Sequence, residues 1–408
     1  MQAAAKKLII MAFKENFKVN NIDAILTHRI FGLPIFLLVM YIVFDLTFRI
    51  GKYPMAGLEH LFSMLAKFVG DFWRDGSPSL LKSLILDGIL SGVGGVVIFL
   101  PNVLLLFAAI AILEDSGYMA RASIVAGRVM EKIGLPGKSF VPMLIAFGCT
   151  VPAIMACRTL ENKKSRLTTI LILPLFSCGA RITIYSLFIP AFFPLRWQGA
   201  MMFAIYIIGI VLAVIAAKIL NLTILKNESP LFAIKLSPYK IPALKAVLMH
   251  MWERGWVYLK KAGTVILIVS IVLWFAGNFP KPDSIAARVG RTLEPAFRPL
   301  GFDSKVVTAM IGAVAAKEIF VVQMGVAYAI SEHDDISVLR EKLHIDYTPL
   351  QGFCIMLFCL ISSPCIATIA ATKTETGKWK WAIFQWAGLT AMAYVITLIV
   401  YQTGVLFL

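Results

Sequence analysis

Three cysteines stand where apolar segments are interrupted. Cys149 lies in Gly148-Cys149-Thr150-Val151-Pro152, Cys178 in Ser177-Cys178-Gly179-Ala180-Arg181, and Cys365 closes Ser362-Ser363-Pro364-Cys365. Thiols are ligands for soft or borderline cations, and bond strength alone admits Fe(II), Zn(II) or Cu(I). Proline cannot donate a backbone hydrogen bond, so such breaks free carbonyls that lipid cannot satisfy; they belong inside protein or along a cavity. Thiol and carbonyl can therefore meet a permeating ion at the same depth. A lone cysteine in a membrane helix is usually a small apolar packing residue. Recurrence at three breaks favours the metal reading for Cys149, Cys178 and Cys365. Cys157, Cys354 and Cys359 lie in continuous apolar runs or at a span end and are read as packing residues.

Polar neighbours complete the candidate set. Thr150, Ser177 and Ser363 place hydroxyls beside the cysteines as pathway or gate residues. Lys317-Glu318 inside an apolar segment is costly unless paired or wetted. Two roles are open: Glu318 neutralises a cation, or Lys317 and Glu318 form a structural ion pair. Arg181 either caps freed carbonyls or binds a carboxylate such as Glu114 or Asp115. Met143, Met310 and Met324 offer thioethers but read as filler. None of the five histidines (28, 60, 250, 333, 344) falls inside a span, which disfavours an imidazole site. Gly134 to Ser139 ends like a phosphate-binding loop, but Lys132 stands where the first glycine belongs and no strand precedes it. With no HExxH or GxSxG signature, the chain reads as a non-enzyme without catalytic residues or a catalytic cofactor.

The elements that must hold these residues are membrane helices. The 408 residues are 59% hydrophobic and 15% charged, with a mean hydropathy of +0.82, which excludes a soluble globular domain. The net charge of +16 concentrates in loops, so positive-inside topology explains it better than nucleic acid does. Residues 1–30 read as a cytoplasmic amphipathic lead-in without signal-peptide layout. Residues 31–91 read as a first span, Phe31 to Ile50, followed by interfacial helices; Asp45 within it is read as paired with Arg49. A first gate repeat is expected over 92–220, a basic cytoplasmic loop over 221–262, and a second repeat over 263–408.

The repeat rests on plan and on a gap-free match of KIGLPGKSFVPMLIAFGCTVPAI with PLGFDSKVVTAMIGAVAAKEIFV. It pairs Gly134 with Gly301, Lys138 with Lys305, and Cys149 with Ala316. Charge adds orientation. If Lys138 to Cys157 re-enters and returns, the basic turn Arg158 to Arg166 stays inside, and the same treatment of the second half puts Lys373 to Lys380 inside as well. The halves then run in opposite senses, the inverted-repeat plan of many transporters. The expected fold is therefore all-α and polytopic, with two inverted gate-like repeats containing discontinuous or re-entrant helices.

Several motifs, among them GVGGVVIFLPNVLLLF, LEDSGYMARAS, GLPGKSFVPMLIAFGCTVPAIMACRTLENKKSRL, PLFSCGARI, AAKEIF and SPCIATIAATKTETGKWKWAIFQ, resemble the membrane (permease) domain of the ferrous iron transport protein B (FeoB) family, from roughly Ile30 onward. The resemblance implies a multi-pass protein of a prokaryotic cytoplasmic (inner) membrane, N-terminus inside, that imports Fe(II) as its substrate and carries metal-pathway roles onto Cys149, Cys178 and Cys365. It implies as partners a GTPase domain, separate or removed since none is found before Phe31, and small cytoplasmic Feo accessory proteins, with lipid around it, no nucleic acid, and room for a homo-oligomer. Thr150 and Cys157 depart from the Asn and Thr common at those places. The alternatives weighed are an organic-solute transporter, such as one for nucleosides, and a non-conducting membrane receptor for a soluble GTPase.

Overall fold

The computed structural model describes His28 and residues 31–72, 80–223, 242–279, 284–328 and 336–407. Apart from His28, the lead-in lies outside the described residues, as do residues 224–241 of the basic loop. Helix α1 (Gly32–Phe72) runs unbroken through Pro54, where hydropathy suggested a span followed by separate interfacial helices. The charges that break its hydropathy profile, Lys52, Glu59 and Lys67, are exposed, while Phe62 packs over Gly94 of α2 (Ser91–Asp115). One helix thus carries both a packed face and a charged face. Asp45 bonds Arg49 at 2.8 Å, the expected i,i+4 pair.

Two arrays of like order follow. The first comprises α2, α3 (Tyr118–Ile133), α4 (Phe140–Gly148), α5 (Thr150–Ala156), α6 (Lys163–Ile172), α7 (Gly179–Phe192) and α8 (Leu195–Leu222). The second comprises α9 (Leu244–Asn278), α10 (Ile285–Phe297), α11 (Ser304–Ala315), α12 (Ile319–Ala327), α13 (Ile336–Asp346), α14 (Pro349–Ile361), α15 (Ile366–Thr376) and α16 (Trp379–Phe407). Among the described residues, five stretches are long and apolar enough to cross a membrane: Pro34–Asp71, Lys163–Phe192, Leu195–Leu222, Pro349–Thr376 and Trp379–Phe407.

Backbone geometry repeats between the arrays at the residues that the alignment pairs. Gly134 (φ 81°, ψ 26°) and Gly301 (φ 77°, ψ 20°) are both left-handed terminators, a conformation that glycine adopts without a Cβ penalty. Cys149 (φ −153°, ψ 130°) and Ala316 (φ −149°, ψ 143°) both end a helix in extended backbone. Asn221 of α8 donates to the carbonyls of Ile133 and Gly134 at 3.1 and 3.0 Å, and Gln402 of α16 donates to that of Pro299 at 2.7 Å.

Both short interrupted segments are hairpins. A straight helical run from Phe140 to Ala156 would be about 25 Å long, yet Lys138 before it and Glu161 after it meet at 3.1 Å. In the second array Lys305, at the start of α11, lies 4.0 Å from the ring centroid of Tyr328, which follows α12. Gly312 permits this return, because a Cβ there would stand 2.8 Å from the Gln323 amide carbon. By contrast α6–α7 and α14–α15 each continue across their break as one span-length run.

Inversion follows from two contacts between arrays. Glu375, at the end of α15, accepts from Arg158 and Arg166 at the α5–α6 turn. Arg340 of α13 donates to the Ser186 carbonyl in the latter half of α7 at 2.9 Å. Arrays running in the same sense would place each of these partners on opposite faces. The core between them is continuous: Ile154, Ile170 and Phe188 from one array share a buried cluster with Phe320, Ile355 and Met356 from the other. In lipid such contacts stabilise through close packing rather than through exclusion of water.

Candidate metal pathway

Each cysteine of the candidate set is placed by a local backbone rule. Pro152 is in the first turn of α5, where its missing N–H costs nothing, but its ring would clash with the Gly148 carbonyl if α4 ran on. The chain therefore opens at Cys149, the tip of the first hairpin. In α14–α15, Pro364 biases Ser363 toward extended backbone, and Cys365 (φ −61°, ψ 155°) caps α15. After the tight Leu173–Leu175 turn with its Pro174, Cys178 (φ −84°, ψ 166°) caps α7. No proline explains the break at Ala316-Lys317-Glu318.

The breaks come together. Helix α5 packs on α15, and Cys149 and Cys365 pack against the same small apolar cluster with Val151 and Ala367. The thiols of Cys149, Cys178 and Cys365 lie within electrostatic reach of one another, and the Glu318 carboxylate reaches both Cys149 and Cys365. All three thiols are partly buried and unpaired by disulfides. Cys365 shares a 3.1 Å contact with the Thr368 hydroxyl. Among the described residues no group of three or more His, Cys, Asp or Glu is gathered closely enough to hold a metal ion. The breaks are thus neighbours, but not a closed cage.

The polar neighbours divide by role. Lys317, 4% exposed, donates to Ser362 of the α14–α15 break at 3.4 Å and makes no ion pair with Glu318 within 4 Å among the described residues. The structural-pair alternative for Lys317 and Glu318 is therefore not what forms, because Lys317 turns toward the other break. Arg181 donates to the carbonyls of Pro174 and Phe176 at 2.7 and 3.1 Å, satisfying backbone freed by the turn, and not to Glu114 or Asp115. Ser177 donates to the Tyr185 hydroxyl at 3.0 Å, and Ser363 to the Pro364 carbonyl at 3.0 Å. Thr150 is buried at the start of α5. Glu114 and Asp115 lie at the end of α2.

Cys157 is fully buried, with its thiol bonded to the Ala153 carbonyl at 3.4 Å. Cys354 and Cys359 belong to the main core, although Cys359 lies within electrostatic reach of Lys317. Three polar residues stand outside the candidate set. Gln385 of α16, 2% exposed, donates to the Ile170 carbonyl and accepts from Thr372, both at 2.7 Å, tying α6 to α15. Asn102 and Thr47 line a cavity with Cys149. For Asn102 the available signal was a polar residue in mid-span, next to Pro101.

Interrupted helices meeting between two inverted repeats define a multi-pass, all-helical membrane protein of the gate type. Residues 96–192 and 259–379 match the Gate family, described as nucleoside recognition, and residues 202–254 match the ferrous iron transport protein B C terminus family. The chain is 38% identical over 415 residues to the Fe(2+) transporter FeoB of Campylobacter jejuni, covering 97% of the chain and 67% of that protein. It is 39% identical over 398 residues to the Fe(2+) transporter FeoB of Methanocaldococcus jannaschii, covering 94% and 58%. It is also 38% identical over 440 residues to the Fe(2+) transport protein A/Fe(2+) transporter FeoB fusion protein of Porphyromonas gingivalis, covering 95% and 52%. No solved structure matches the chain. The chain belongs to the FeoB family, over its membrane region, and spans between about half and two thirds of the length of these relatives.

Proposed function

We propose that this chain carries ferrous iron across the cytoplasmic membrane along a path through the paired helix breaks, with Cys149, Cys178 and Cys365 as its thiols. The observation that carries the reading is the packing of Cys149 and Cys365, each at a backbone interruption, on one small apolar cluster, with Cys178 and Glu318 within electrostatic reach. Fe(II) would exchange part of its water shell for thiol and carbonyl groups, and Glu318 would offset its charge. Groups spread along a path rather than gathered into a cage suit passage, since an ion must bind well enough to enter and weakly enough to leave.

The turn at Arg158 and Arg166 and the end of α15 are assigned to the cytoplasmic side by the positive-inside rule. Their shared contact with Glu375 supports that side as the one where a GTPase domain acts on the gate, by moving the turn and with it the hairpin tip at Cys149. The fused name of the Porphyromonas gingivalis relative supports a small accessory partner of the transport-protein-A type.

Radio-iron uptake into proteoliposomes tests the reading, with and without an added GTPase domain. Fe(II) should accumulate, and Cys149→Ser combined with Cys365→Ser should abolish it. Absence of iron flux in both arms, or uptake of a labelled nucleoside instead, would sink the proposal.

A further inference from the structure

A positive charge already stands at the helix breaks. Lys317 occupies the tip of the second hairpin, between α11 and α12, and is only 4% exposed. Among the described residues its ammonium makes one hydrogen bond, to the Ser362 hydroxyl at 3.4 Å, longer than the usual N–H···O range of about 2.7–3.2 Å. An ammonium carries three donors and no acceptor. A buried charge so thinly partnered is costly, and inside a membrane protein it marks a functional place.

The packing fixes what that charge faces. Ser362 precedes Cys365 in the α14–α15 break, and both hairpins pack on α15, through α5 in the first array and α11 in the second. The thiols of Cys178 and Cys365 lie within electrostatic reach of the Lys317 ammonium, as does the Arg181 guanidinium. Arg181 is solvated by the Pro174 and Phe176 carbonyls, whereas Lys317 has the one hydroxyl. The repeat sharpens the contrast, because the alignment that pairs Cys149 with Ala316 pairs Thr150 with Lys317. One hairpin tip therefore presents a thiol and a hydroxyl, both able to ligate a cation. The other presents a methyl and a positive charge, which repels one.

We propose that Lys317 is an electrostatic bar in the metal path: its ammonium, held on Ser362, stands in for the transported cation where the breaks meet and must leave before a divalent ion binds the thiols there. The inference rests on the iron-path reading for the ion that is barred, and adds to it what keeps the path closed. A fixed positive charge excludes cations from a narrow passage without filling it, and with little water between them a unit charge and a dication repel far more strongly than in bulk. Because Lys317 belongs to a hairpin tip, a small turn of that tip away from Ser362 lifts the bar.

Cd(II) binding to the purified full chain reads the bar without requiring transport, since a soft cation favours thiols. Lys317→Met should tighten Cd(II) binding about tenfold or more by removing the repulsion. Lys317→Gln, which removes the charge and keeps a hydrogen-bonding group, should do the same if the methionine protein folds poorly. Lys317→Arg keeps the charge and should leave the affinity near the parent value. Adding Cys178→Ser and Cys365→Ser should abolish the gain. In proteoliposomes without a GTPase domain, Lys317→Met should raise Fe(II) uptake several-fold over the parent chain. Cd(II) affinity unchanged in both neutral variants, raised equally by Lys317→Arg, or raised without the two thiols would overturn the bar. So would uptake by Lys317→Met no greater than the parent's, in vesicles where the parent carries iron once the GTPase domain is added. Tighter Cd(II) binding in neutral variants, in a protein that moves no iron in any arm, would keep the bar at the thiols and remove the iron-path reading.

Discussion

Lys138 Nζ and Glu161 Oε1 meet at 3.1 Å although 23 positions separate them in the chain. The contact closes the base of a hairpin whose tip is Cys149. Both ends of the segment therefore lie on one face of the membrane. In a background without native cysteines, Lys138→Cys and Glu161→Cys should both react with a membrane-impermeant thiol reagent from the same side, and the double variant should form a disulfide on oxidation. Labelling from opposite sides would show that the segment crosses the membrane.

Glu375 joins the arrays. Its carboxylate is 3% exposed, and it accepts from Arg158 Nε at 2.9 and 2.8 Å and from Arg166 at 3.2 Å. Hydrogen bonds to charged groups contribute about 1.5–3 kcal/mol each, less where the partner is exposed as Arg158 is. Glu375→Gln should lower stability by roughly 1–3 kcal/mol, read as a fall in melting temperature. Arg158→Ala on that background should then add little, whereas full additivity would show that the two residues do not act as a pair.

Asp346 gives a pH dependence at the opposite face. It accepts from the Tyr328 hydroxyl at 2.6 Å and from Lys305 at 3.1 Å, and these bonds hold its carboxyl below the usual carboxylate range. A depressed folded value stabilises above the unfolded pKa of about 3.9, and that contribution is lost as pH falls through the folded value. Asp346→Asn should lower the melting temperature slightly at pH 7 and leave a shallower loss below about pH 4. An acid profile identical to the parent's would exclude Asp346 from it.

Glycines in left-handed backbone should rank by their surroundings. At Gly301 (φ 77°) a Cβ would lie 2.5 Å from the Tyr401 ring, whereas at Gly377 (φ 71°) it would meet nothing within 4 Å. Gly377→Ala should cost about 1–2 kcal/mol from the backbone alone. Gly301→Ala should cost more, and equal losses of thermal stability would count against the packing described at Tyr401.

The cysteines should separate into two groups in flux. Cys157→Ala and Cys354→Ala should leave iron uptake near the parent value and lower thermal stability modestly, since both side chains are fully buried. Cys149→Ser and Cys365→Ser should reduce uptake with little thermal effect. Loss of uptake on changing Cys157 alone would place that thiol in the path.

Much of this architecture was legible in the residues. Apolar runs of span length, Pro152 and Pro364 beside their cysteines, and left-handed glycines at 134 and 301 are local signals, because proline sterics and the missing Cβ act within a few residues. Charge on the turns foretold a returning hairpin, since basic loops resist translocation. Other features have no local cause. The continuation of α1 past Ile50 depends on packing against α2, and the break at Ala316 lacks a proline. The turn of Lys317 toward Ser362, the Arg158–Glu375 contact and the cavity between Asn102 and Cys149 each join segments far apart in sequence. Where a helix must break is a short-range steric matter that residue types settle; which breaks face one another, and which buried polar group is left without a partner, depends on how distant helices pack.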